Sequence, residues 1–202
     1  GFTITILPAG SDIHAEYAEN APSYSNMFFS PIIGWVAGNH LDDTNTQAQV
    51  GFGTANMLMP DKAIAMHVPL SDSQFANINI VNLFEQGAGP KISFAETGFT
   101  ATDCLIDGEP AKFSEYVQNN NIDTRLPLVA DYNGVNINVS IKEILSDSVD
   151  FYAPIFKNVS YQFANPIADY VSELDKSIAS QQIPDTCFSF NCIRFGGLTK
   201  TT

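Results

Sequence analysis

The stretch Thr186–Gly197 reads TCFSFNCIRFGG and holds two of the chain's three cysteines, an arginine and a glycine pair. Three chemistries can start from such residues: a metal site, a disulfide and a nucleophilic thiol. Cys187 and Cys192 are spaced C-x4-C. Structural zinc wants two further Cys or His ligands close to such a pair, and the histidines, His14, His40 and His67, are scattered. On strand spacing the two thiols point to opposite faces, which argues against a shared metal and against a mutual disulfide. A nucleophilic Cys192 needs a histidine in reach and a pocket that stabilises an anion. His40 could supply the first. The alternative is a buried cysteine acting as a small inert hydrophobe. The expectation is three free thiols, no metal and no cofactor.

A second group lies upstream, in the apolar run Ile32-Ile33-Gly34-Trp35-Val36-Ala37-Gly38 and the loop that follows. Glycines in a strand mark close approaches of backbone or ligand. Trp35, the only tryptophan, is either a core residue or one wall of a pocket. The loop Gly38-Asn39-His40-Leu41-Asp42-Asp43 offers carboxylates to a hard cation, but EF-hand spacing is missing and a solvated loop explains it as well. Gly34 and Gly38 come without a phosphate-loop lysine, so nucleotide binding is not indicated. Arg194 has the planar fork that suits a carboxylate. The candidate ligand-binding set is therefore Gly34, Trp35, Gly38, His40, Asn191, Cys192 and Arg194, with no catalytic residue assigned.

These residues need elements to position them. Phe2, Ile4 and Ile6 alternate with threonines and predict a strand. Ser11 caps a helix with Asp12 in its first turn and Ile13, Tyr17 and Ala18 on its apolar stripe. The run 32–38 reads as a buried strand, and His40–Gln49 as a polar loop. Ala63–Val68 is a strand, Ile78, Ile80 and Leu83 or Phe84 continue the sheet, and Lys91–Phe94 alternates again. Asp107-Gly108 predicts a hairpin turn, followed by a short helix through Phe113, Tyr116 and Val117 that ends at Asn119–Asn121. Leu126–Ala130 is a strand, and Tyr132-Asn133-Gly134 a turn. Val135, Ile137, Val139 and Ile141 alternate with Asn136, Asn138 and Ser140 as one half-buried strand with a polar face. After the turn at Ser146–Ser148, Val149–Ala153 and Val159–Phe163 complete an antiparallel meander. The best helix starts at Pro166 and carries Ile167, Tyr170, Val171, Leu174 and Ile178. The stretch that opens this section is read as the last buried strand. The fold class is α+β, with mixed and antiparallel sheets and about three packed helices. A soft boundary near residues 95–103 divides it into 1–97 and 98–202, packed as one unit.

Composition sets outer limits. At 202 residues a chain buries roughly 70% of its unfolded surface without a staple. Acidic residues number 22 against 9 basic, a net charge of −13, and that field repels nucleic-acid phosphate and anionic membranes. No apolar run is long enough for a membrane span, and no leader is visible. Both ends look cut, as in a fragment of a longer protein. An odd number of cysteines suits a reducing compartment, hence the cytoplasm. The sequons at Asn138 and Asn158 are set aside as chance tripeptides.

The order of several motifs resembles the FIST sensory domain. LIDGEPAKFSEYV (Leu105–Val117) is similar to the hairpin-plus-helix opening of its C-terminal half, where a turn, a Gly, a Pro-Ala pair and a helix aromatic recur. LPLVADYNG (Leu126–Gly134) resembles its Pro-Leu strand. VDFYAPIFKNV, the helix from Pro166 and FSFNC resemble its closing strand, helix and Cys-bearing strand. PIIGWVAGNHL (Pro31–Leu41) resembles the Gly-containing strand of the N-terminal half. Two features depart from the pattern: Arg194 stands one residue early after Cys192, and the family's final strands are absent. The resemblance implies a non-enzymatic bacterial sensor of a small polar metabolite, such as an amino acid or a carboxylate. Two other readings stand beside it. One is a self-associating structural subunit that forms a homo-oligomer or filament. The other is a cysteine-dependent enzyme.

Overall fold

Alternation of Phe2, Ile4 and Ile6 with threonines makes β1 (Phe2–Pro8), the centre of a three-stranded sheet. The structure is a computed structural model that describes residues 1–24, 31–40, 43, 45–53, 57–132, 134–181 and 187–190. Gly10, at φ 71°, turns the chain into α1 (Asp12–Asn20). Ser11 caps that helix as expected: its hydroxyl accepts from the His14 N–H at 3.2 Å and donates to the Pro8 carbonyl at 2.7 Å. β2 (Ile32–Ala37) returns parallel to β1, and after the short hairpin β3 (Val50–Phe52) and β4 (Met57–Met59), β5 (Ile64–Val68) pairs antiparallel on its other side. The sheet order is β2-β1-β5, with β3–β4 a separate two-stranded ladder.

These elements form one compact unit, Gly1–Asn79; the second is Ile80–Thr202. The boundary expected at 95–103 falls inside the second unit, because β6 (Ile92–Ser93) takes its ladder partners there. After β7 (Gly98–Ala101), the hairpin β8 (Asp103–Ile106) and β9 (Glu109–Lys112) turns on Asp107 and Gly108. Their φ values of 51° and 93° are the pair of positive angles that a tight hairpin turn requires. α2 (Phe113–Asn119) follows. Then come β10 (Leu128–Tyr132), β11 (Val135–Val139), β12 (Ile141–Ile144), β13 (Val149–Ile155), β14 (Ser160–Phe163) and α3 (Tyr170–Ala179). A six-stranded sheet, β11-β10-β14-β6-β8-β9, faces a three-stranded one, β12-β13-β7. The fold is α+β.

The core of this second unit lies between its sheets. Ile92, Leu128, Ala130 and Tyr161 from one meet Ile141, Val149, Phe151 and Ile155 from the other. Phe113, fully buried, brings its ring to 5.2 Å from Phe94 and 6.0 Å from Phe151, centroid to centroid. Burying such a side chain stabilises by about 1.5–3 kcal/mol. Val129 points the opposite way from Leu128 and Ala130, as the pleat demands. There it packs with Phe84, Ala164 and Tyr170.

Four expectations are corrected. The alternating run from Val135 is not one strand but two, broken at Ser140. β11 belongs to the first sheet and β12 to the second, so the chain turns a corner of the sandwich there. The run is therefore no simple meander: β14 returns to insert between β10 and β6. The apolar residues of β11 lie on the same face as Leu128 and Ala130: Val139 is buried there, Ile137 and Val135 are exposed towards the start of the strand, and Asn136 and Asn138 are half-buried on the other face. The stretch through Ile78, Ile80 and Leu83 or Phe84, expected to continue the sheet, forms no strand; it leads to a single bridge, Gln86 with Ala164, and amide side chains hold the chain beside it. Asn82 Nδ2 donates to the Asn136 carbonyl at 2.8 Å and to Asn138 Oδ1 at 3.1 Å, and Asn138 Nδ2 donates back at 2.9 Å. Gln86 Nε2 donates to the Val129 carbonyl at 3.0 Å. Finally, the third helix starts at Tyr170 and not at Pro166, because Asp169 is its cap and accepts from the Ser172 N–H at 3.0 Å.

Candidate functional site

Each sequence-selected residue of the first unit has a definite place. Gly34 stands opposite Thr5 in the parallel ladder. A Cβ built on it would lie 1.7 Å from the Thr5 carbonyl oxygen. Its missing side chain serves strand pairing and does not make room for a ligand. Trp35 is 46% exposed on an edge strand, which corrects the reading of 32–38 as a buried strand. Among the described residues β2 pairs with β1 alone, and no residue of its apolar run is buried. Gly38 and His40 are exposed beyond the strand end. In the loop that follows, the carboxylate of Asp43 accepts from the N–H groups of Asn45 and Thr46 at 3.0 and 3.1 Å. The Thr46 side chain, and after it the Asn45 N–H, hold the Asp43 carboxyl below the usual range. This carboxylate braces its own loop.

Asn191, Cys192 and Arg194 lie outside the described residues. The four before them, Cys187–Phe190, belong to no strand and are all exposed, so the buried-strand reading does not hold for them. Alternation of apolar and polar residues makes a strand only where a sheet edge receives its backbone. Cys104, by contrast, is buried. Desolvation first, and the neighbouring Asp103 second, push its thiol up to about 11, so it stays protonated and a poor nucleophile at neutral pH. Among the described residues, no three His, Cys, Asp or Glu side chains gather as a metal site, and no helix is long and apolar enough to cross a membrane.

The residues that stand out in the first unit belong to no chemical motif. No strand of the first unit contains an Asp, Glu, Lys or Arg. The register groups Ile4 with Ile33 and Met66, Ile6 with Trp35 and Ile64, and Phe2 with Val68 on one face of the sheet. All eight are apolar and none is buried. The hairpin β3–β4 adds Phe52, Met57 and Leu58, which are 61%, 50% and 68% exposed. With Gly51 and Gly53 they line a shallow apolar depression of about 370 Å³. Such a surface offers no fixed charge to a carboxylate. It can bury apolar area and extend ladders, which is what protein contacts require. The signal was present in the sequence: residues 44–60 carry no charge in a chain whose net charge is −13.

Against known proteins, residues 1–196 match the model of one family, described as a family of unknown function, DUF6976. No curated protein and no solved structure matches the chain.

Proposed function

We propose, for a chain that belongs to DUF6976, a family of unknown function, that it is a non-catalytic subunit that assembles with further copies of itself through its N-terminal unit. One observation carries this reading: an apolar, uncharged sheet left half exposed in a strongly acidic protein. Copies with a net charge of −13 repel over most of their surfaces. They can approach where charge is missing, and the uncharged strand edges there lack the lysines and prolines that usually block edge pairing. The sensing reading implied by the FIST resemblance relies on Gly34 to face a ligand, whereas that glycine packs on Thr5. It also relies on Arg194, outside the described residues.

The test is sedimentation velocity over a wide concentration range, at low and high salt. Mass should rise above the 22.0 kDa of one chain as concentration increases. Added salt should strengthen association, because it screens the mutual repulsion while leaving apolar contacts in place. A strictly monomeric protein in both salts would refute the proposal. The sensing reading would be revived by a thermal shift with amino acids or carboxylates, about 2.7 kcal/mol at a hundredfold excess over the dissociation constant.

A further inference from the structure

We infer that the contact between copies is made by the hairpin β3–β4, which pairs with the same hairpin of a second chain about a two-fold axis. This rests on the self-assembly reading above and names its surface. The hairpin is short: its ladder is Val50–Met59, Gly51–Leu58 and Phe52–Met57. A two-stranded ribbon is marginal on its own in water, and a third strand or a packed face is what secures it. Among the described residues, each of its strands has only the other as ladder partner.

Both of its faces are apolar. Side chains of paired residues share a face, which puts Phe52 and Met57 on one side and Leu58 on the other. Gly51 leaves room beneath Leu58, whose Cδ2 would lie 3.4 Å from a Cβ at that glycine. A ribbon apolar on one side can fold back on its own unit. A ribbon apolar on both sides cannot bury both faces that way, and Phe52, Met57 and Leu58 are all at least half exposed. Val50, at its base, is 3% exposed and anchors it.

The charge pattern selects the occupant. Residues 44–60 are free of charged side chains, flanked by Asp43 and Asp61. A cationic partner would gain nothing here and would seek the acidic surface elsewhere. A second copy of this chain is disfavoured at its acidic surfaces and accepted at this one. Contact between identical hairpins is self-complementary and closes at two copies. It is also small against the roughly 1,200–2,000 Å² of a stable interface, so the dimer should dissociate on dilution.

The experiment compares wild type, Leu58→Lys and Phe52→Lys by sedimentation velocity, with far-ultraviolet circular dichroism to confirm that each variant folds. Val171→Lys, on the exposed side of α3 in the other unit, is the control. Each hairpin variant should weaken the dimer by at least about tenfold, and the control should dimerise like wild type. Assembly of both hairpin variants at wild-type strength overturns the hairpin inference and leaves self-assembly intact. A wild type that is monomeric at every concentration overturns both. Flotation with phosphatidylcholine vesicles completes the test. If a monomeric wild type binds them and Leu58→Lys does not, the occupant is lipid and the inference fails.

Discussion

In the C-terminal unit the outer strand β9 carries Glu109, Pro110 and Lys112, and the Lys112 ammonium sits 2.7 Å from Asp103 on the next strand. The outer strand β12 carries Lys142 and Glu143. The other two edges, β11 and β7, have no charge; Asn82 takes up the Asn136 carbonyl of the first, and on the second Thr100 donates to Asp150 of the neighbouring strand at 2.7 Å. In the N-terminal unit, β2 and β5 flank their sheet with neither charge nor proline. The cores differ in the same sense. One unit buries Phe94, Phe113, Phe151 and Tyr161 between two sheets; the buried apolar side chains of the other include Leu7, Ala48 and Val50. Edges are commonly defended where pairing would be harmful. On the proposed reading, association falls to the unit whose outer strands carry no charge, and stability to the unit that buries the aromatic cluster.

Apolar deletions should expose this difference most strongly. Phe113→Ala removes a fully buried ring in contact with Phe94, Phe151 and Phe163. It should cost about 3–5 kcal/mol, read as a lower midpoint in chemical denaturation. Phe52→Ala deletes the same ring at a position 61% exposed and should shift that midpoint by no more than about 0.5 kcal/mol. Equal losses at the two sites would erase the contrast.

Tyr161 gives an intermediate effect. Its hydroxyl accepts from the Phe156 N–H at 2.8 Å. Tyr161→Phe leaves that N–H unpaired in a half-buried site, at a cost of about 1–3 kcal/mol. Burial, the dominant cause, raises the ionisation of this phenol well above its ordinary value. As pH climbs past about 10 the unfolded chain loses this proton while the folded one retains it, so stability must fall. Tyr161→Phe should flatten that alkaline limb. A limb unchanged by the substitution would assign it to other groups.

The smallest effect belongs to the defended edge. Lys112→Ala should leave the melting temperature where it is, since its pair with Asp103 is solvent-exposed and such pairs are worth little. Glu109→Val with Lys112→Val should instead raise the tendency of the C-terminal unit to associate, measured by light scattering. No change in scattering would mean that those charges do not guard the edge.

Legibility from sequence followed the range of the forces involved. Ser11 before an acidic first turn, and Asp107-Gly108 after an apolar pair, are local signals, and both elements formed where expected. The break at Ser140 depends on which sheet receives each half of an alternating run, and no local pattern carries that. The half-burial of Asn136 and Asn138 on β11 depends on Asn82, more than fifty residues upstream, which supplies their hydrogen-bond partners. The candidate site failed to emerge for a different reason. Its mark is an absence: a stretch with no charged side chain, residues 44–60, contains no residue type that signals chemistry.

The direct measurement is hydrogen–deuterium exchange at low and high protein concentration, read separately over the strands of the two units. Protection of Val50–Phe52 and Met57–Met59 should rise with concentration, while β10 and β13, whose ladders are complete within one chain, should exchange slowly and equally at both. Exchange in the N-terminal strands that ignores concentration, or a concentration effect confined to the C-terminal unit, would contradict the separation of stability from association.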